Sequence, residues 1–141
     1  MGVKVGVNIL GLQGLVGGTV RDVLDVVVEA DRKGIDVVTT GDHLGFNRAA
    51  HQVRRETHAF PFVLEEPWPE PIAFLSAVAA LTTRIRLSTF VLIASLRPTL
   101  LLAKQLATLD HLANGRVTRG LGVGWQEEEF AAGGMAFEGR F

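Results

Sequence analysis

Short β-branched runs alternate along the chain with longer stretches in which apolar residues recur every three or four positions. The first run, residues 3–9 (VKVGVNI), predicts a strand. Gly11, Gly14, Gly17 and Gly18 crowd the segment after it, and that density of glycine predicts a loop rather than a helix. From Thr19 the period changes. Val20, Val23, Leu24 and Val27 share one helical face, Thr19 and Asp22 stand three apart as in a capping box, and Gly34 occupies the place of a C-terminal cap. A helix is expected over residues 19–33, followed at once by a strand over 35–40 (IDVVTT).

The interval 41–70 contains Pro61, Pro67 and Pro69 without sustained periodicity, which predicts a long functional loop. Pro71 suits the first turn of a helix over 71–82, residues 85–91 (IRLSTFV) read as a third strand, and Pro98 opens a helix striped by Leu102, Leu106 and Leu109. Asn114-Gly115 ends that helix, residues 116–122 (RVTRGLG) predict a fourth strand, and 126–132 a last short helix. Glu127, Glu128 and Glu129 fall in its first turn, where the helix dipole favours acids. Strand and helix alternate throughout, with crossovers of βαβ length, so the chain is expected to be α/β with parallel strands in one domain spanning residues 1–141. The open doubly wound sheet and the (β/α)8 barrel share that pattern.

Composition narrows the chemistry. With 14 Lys and Arg against 15 Asp and Glu there is no basic surplus to grip nucleic acid, and the absence of cysteine removes disulfides, thiolate catalysis and sulfur-bound zinc. No apolar run approaches the roughly 18 residues of a membrane helix, so a cytoplasmic protein with a small-molecule substrate, and neither a membrane nor a nucleic-acid partner, is expected. His51 and His58 lack carboxylates at ligand spacing and His111 stands near a helix end, so no metal site is expected; Arg54-Arg55 reads as a solvated loop pair.

In both architectures ligands bind at the carboxyl ends of the strands, which singles out Asn8, Gly41-Asp42-His43, Ser88-Thr89-Phe90 and residues 122–125. An acid beside an imidazole can handle protons or hold a cofactor; the alternative is a turn-capping Asp42 and a solvated His43. Gly120 and Gly122 leave one face of the fourth strand small, either to admit a flat ring or phosphate or to let a neighbouring strand pack closely. Arg119 lies on the other face between Val117 and Leu121, where a charge needs a partner.

Several segments together, in this order, resemble one family: GDHL at 41–44, WPEP at 68–71, IRLST at 85–89, LAKQLATLD at 102–110, NGR at 114–116 and GLGVGWQEEEF at 120–130. The chain resembles the N-terminal half of a luciferase-like monooxygenase, and more narrowly the branch that uses the deazaflavin coenzyme F420 rather than FMN. The resemblance implies a parallel (β/α) barrel of the TIM type, of which this chain forms about the first four β/α units. It implies an oxidoreductase that transfers a hydride between coenzyme F420, or alternatively FMN, and an organic substrate. Carried over by position, His43 is the candidate catalytic residue, and Asp42, His43, Thr89, Phe90, Val123 and Gly124 are the candidate cofactor-binding residues. Thr89 and Phe90 match a strand-three bulge that often holds a non-proline cis peptide in this family, whereas Trp125 stands where some F420-dependent dehydrogenases carry an acid. The family's phosphate-gripping loops lie in the second half of the barrel. A truncated, non-catalytic half-barrel that binds cofactor weakly or self-associates is the alternative, and free strand edges make a homo-oligomer the expected state.

Overall fold

The computed structural model describes residues 2–58 and 60–140. Four parallel strands, β1 (Gly6–Asn8), β2 (Val37–Thr40), β3 (Arg86–Ile93) and β4 (Val117–Gly122), form one sheet in the order β1-β2-β3-β4. Sequential order is that of a barrel wall; a doubly wound sheet would set β1 inside the order rather than at its edge. The fold is therefore α/β of the parallel barrel type, with four of its β/α units present.

The predicted helices form where their end signals stand. Thr19 caps α2 (Val20–Lys33) in a capping box with Asp22, and Gly34, at φ 94°, closes it. Pro71 opens α4 (Pro71–Leu81) behind a Glu70 side chain that accepts the Ala73 N–H at 2.7 Å. Helices α5 (Thr99–Leu112) and α6 (Glu127–Ala132) follow β3 and β4. Two expectations are corrected. The glycine-rich segment contains a short helix, α1 (Leu12–Val16), because Gly11 and Gly17 adopt positive φ at its two ends and only Gly14 lies inside it. The interval 41–70 contains α3 (Arg48–Thr57), whose N-terminus Asn47 caps by accepting the Ala49 and Ala50 N–H groups; its polar sequence carries no apolar stripe to announce it. His51 and Arg54 thus stand on a helix and not in a loop.

One face of the sheet is buried under helices. Val38 and Leu87 are fully inaccessible and pack with Val27, Leu75, Val78 and Leu109 in the main core. Each such side chain contributes about 1.5–3 kcal/mol by leaving water. The other face carries the polar row Asn8, Thr39, Ser88 and Thr118, paired across the sheet in register.

At the amino ends of the strands, charged side chains close the turn between α4 and β3. Asp31 accepts the backbone N–H groups of Thr83, Arg84 and Ile85, and these bonds, with the Arg84 charge, outweigh its partial burial and hold its carboxyl below the usual range. The Arg116 guanidinium donates to the carbonyls of Ala79, Thr82 and Ile85; burial pulls it below its ordinary value against the opposing charge of Asp31. Arg119 finds the partner its position demands in Asp110 of α5, at 3.2 Å.

Strand β3 runs two residues past its expected end because a bulge between Thr89 and Leu92, containing a cis Phe90–Val91 peptide, is followed by renewed pairing of Leu92 with Leu121 and Ile93 with Gly122. The space on the small face of β4 is used here: a Cβ on Gly120 would collide with the Thr89 carbonyl oxygen, and one on Gly122 would lie 2.5 Å from Val91 Cγ2. No helix among the described residues is long and apolar enough to cross a membrane.

Candidate functional site

The carboxyl ends of the four strands open into a cleft of about 450 Å³. Of the residues singled out by position, Asn8, Asp42, His43, Phe90, Val123 and Gly124 line it together. Thr89 does not. Its side chain is buried, donating to the Gly120 carbonyl at 2.8 Å and accepting the Gly120 N–H at 3.0 Å, so it fastens β3 to β4 behind the cleft.

Asp42 and His43 leave β2 in opposite directions. The Asp42 carboxylate is fully buried and receives the Ile93 N–H at 2.8 Å and both terminal nitrogens of Arg97. Arg97 Nη2 also donates to Glu70 at 2.9 Å, which links the mouths of β2 and β3 to the start of α4. Burial opposes the charge on Arg97, but Asp42 and Glu70 outweigh it and raise the guanidinium above its ordinary range. Asp42 therefore acts on the cleft mainly by fixing its walls.

His43 sits in a box of rings: Phe46 at 4.4 Å between centroids, and Trp68 and Trp125 at 5.4 Å on edge-on planes. Its Nδ1 lies 2.9 Å from Oε2 of Glu129 on α6, and the two side chains are 7% and 1% exposed. The other Glu129 oxygen accepts the backbone N–H groups of Leu44 and Gly45. Three residues earlier Gln126, also buried, accepts the Asn47 N–H at 3.2 Å and donates to the Gly45 carbonyl at 2.8 Å. Two side chains beyond β4 thus hold the loop after β2 by its main chain.

The sequence motif contained Glu129 but gave no sign of this task. The three glutamates look alike as helix-start acids, and only burial separates Glu129 from the exposed Glu127 and Glu128. Trp125 lines the cleft, whereas Glu129 stands outside its lining and reaches it only through His43. Phe60, Phe62 and Trp68, from the long interval, complete an aromatic wall, and the Trp68 indole nitrogen is buried without a hydrogen-bond partner. Arg54 is not a solvated loop charge: its guanidinium lies over the Trp125 ring, 4.9 Å from the centroid. Among the described residues lining the cleft none is Lys or Arg. The lining is chemically mostly aromatic and aliphatic, with one imidazole and no cation.

Known proteins resemble the chain along nearly its whole length. A family profile described as luciferase-like monooxygenase matches residues 3–141. The F420-dependent glucose-6-phosphate dehydrogenase of Nocardia farcinica is 34% identical over 114 residues, 80% of this chain and 30% of that enzyme. The crystal structure of monooxygenase RslO1 from Streptomyces bottropensis superposes with a TM-score of 0.68 at 27% identity, over 95% of this chain and 37% of that one. The oxygenating constituent of 3,6-diketocamphane monooxygenase from Pseudomonas putida, solved with FMN, shares the fold at a TM-score of 0.69 and 20% identity, over 94% of this chain and 33% of that one. The chain spans less than two-fifths of the length of these relatives.

Proposed function

The chain belongs to the luciferase-like monooxygenase family, and on that footing we propose that it forms the first four β/α units of an oxidoreductase that transfers a hydride between a deazaflavin or flavin ring and an organic substrate. The observation that carries this reading is the cleft itself: an aromatic and aliphatic slot at the carboxyl rim of the sheet, with a buried, carboxylate-anchored histidine on its wall. A ring of this kind, when bound, supplies the hydride chemistry. Phe90, Val123 and Gly124 would flank it, Asp42 and Thr89 would hold the strands that flank it, and His43 would be the catalytic residue, exchanging a proton or hydrogen bond with the substrate. The slot fits the ring, while its lining offers no cation to a phosphate tail.

Coenzyme F420 is the first choice of ring, because the glucose-6-phosphate dehydrogenase aligned with 80% of the chain is F420-dependent; FMN is the second, because the camphane monooxygenase was solved with it. Fluorescence titration of the protein with each cofactor tests the reading. Ring contacts without a phosphate grip should give a dissociation constant in the high micromolar range, about 5–6 kcal/mol, weakened further by His43→Ala. Binding of neither cofactor, or binding indifferent to His43→Ala and Phe90→Ala, would overturn it.

A further inference from the structure

We propose that Glu129 is a positioning residue that fixes the tautomer of His43, keeping the ring proton on Nδ1 and presenting Nε2 to the cleft as an acceptor, so that the site takes a ligand bearing a hydroxyl group. The tautomer follows from the donor and acceptor inventory. A carboxylate only accepts; Oε1 of Glu129 is already taken by the Leu44 and Gly45 N–H groups, and Oε2 faces His43 Nδ1 at 2.9 Å. The Nδ1 atom must therefore donate, and a neutral imidazole that donates at Nδ1 accepts at Nε2.

The direction follows from the walls. His43 lines the cleft and Glu129 does not; Glu129 borders the neighbouring hollow beside Leu44 and Phe46, so the nitrogen turned away from it is the one left for an occupant of the cleft. Of the other polar side chains on the wall, Asp42 is held by Arg97 and Ile93, Asn8 Oδ1 accepts the Leu10 N–H, and the Trp68 indole nitrogen, which has no partner, is a donor only. A hydroxyl on the ligand would donate to Nε2. If its proton then moves, the O–H bond breaks, the N–H bond forms, and the resulting imidazolium lies against the buried Glu129 carboxylate while the ligand oxygen carries the negative charge. The inference rests on the proposed function only for what becomes of that oxygen; the tautomer stands apart from it.

The test is long-range 15N–1H correlation of His43 in the cofactor-free protein, at a pH alkaline enough to keep the ring neutral. Wild type should show a pyrrole-type Nδ1 and a pyridine-type Nε2. In Glu129→Gln the amide oxygen keeps the two backbone N–H bonds and turns the NH2 group toward Nδ1, so the two signatures should exchange. Gln126→Ala loosens the same loop without touching the ring and should leave them as they are. Phenol should perturb the Nε2 signal and its methyl ether, anisole, should not. A wild-type ring protonated on Nε2, or a tautomer unchanged in Glu129→Gln, overturns the role of Glu129; equal effects of phenol and anisole overturn the hydroxyl preference. The wild-type spectrum decides the first point even if the variant does not fold, and neither outcome depends on whether F420 or FMN binds.

Discussion

Arg97 and Asp42 face each other as a two-pronged ion pair, Nη1 to Oδ2 at 2.5 Å and Nη2 to Oδ1 at 3.0 Å, with side chains 8% and 0% exposed. Arg97 has a second acid in Glu70, but Asp42 without Arg97 keeps only the Ile93 N–H, and the cost of leaving that buried carboxylate unpaired dominates over the lost attraction. Arg97→Ala is expected to lower the unfolding free energy by about 3–5 kcal/mol, read as a fall in the urea midpoint. A loss below about 1 kcal/mol, the value of an exposed pair, would show that the pair is not the clasp between β2 and β3.

Asp31 gives a dependence on acid with a definite sign. Its carboxyl is held below the ordinary 3.8, so its contribution is present above that pH and disappears as the pH falls through the lower folded value. Asp31→Asn should be less stable than wild type at neutral pH, and the gap in urea midpoint should shrink once the pH drops below about 4. A gap that widens in acid would contradict the assignment.

The contact of Gly120 with the Thr89 carbonyl predicts that Gly120→Ala is not a conservative change. The added methyl has to push backbone aside, at a cost of about 1–3 kcal/mol, and the effect should extend to Thr89, whose amide signal should move. A variant with unchanged melting temperature would mean that the bulge yields freely.

Leu101 and Leu112 of α5 and Leu121 of the edge strand β4 are each more than half exposed. Apolar surface beside a free strand edge favours association, so the protein is expected to be larger than a monomer in light scattering at micromolar concentration, and Leu121→Lys is expected to reduce that mass. A monomer across the concentration range would remove this expectation.

Sequence patterns revealed the parts whose signals are local. The valine-rich strands, the Thr19–Asp22 box, the Gly34 cap and the proline before α4 each act within a few residues, and each element formed where its signal stood. Helices α1 and α3 carry no apolar stripe to announce them: Gly11 and Gly17 stand at the two ends of α1 and not inside it, and α3 is anchored by a single buried His51 against Phe46 and Phe60. The same holds for the site. His43, Phe90 and Gly124 could be placed by counting to strand ends, whereas the bond from Glu129 to His43 spans 86 residues and no spacing announces it.

The loop after β2 is gripped by amide groups alone: Glu129 and Gln126 bind the main chain of Leu44, Gly45 and Asn47 and ask nothing of the Leu44 and Gly45 side chains. Leu44 is half exposed, and a Cβ on Gly45 would meet no atom within 4 Å. The path of the loop is thus written in a helix some 80 residues downstream, and the side chains it carries at 44 and 45 are written apart from that path. Residues 44 and 45 can therefore be exchanged one after another at the hollow beside the cleft while His43 stays where it is.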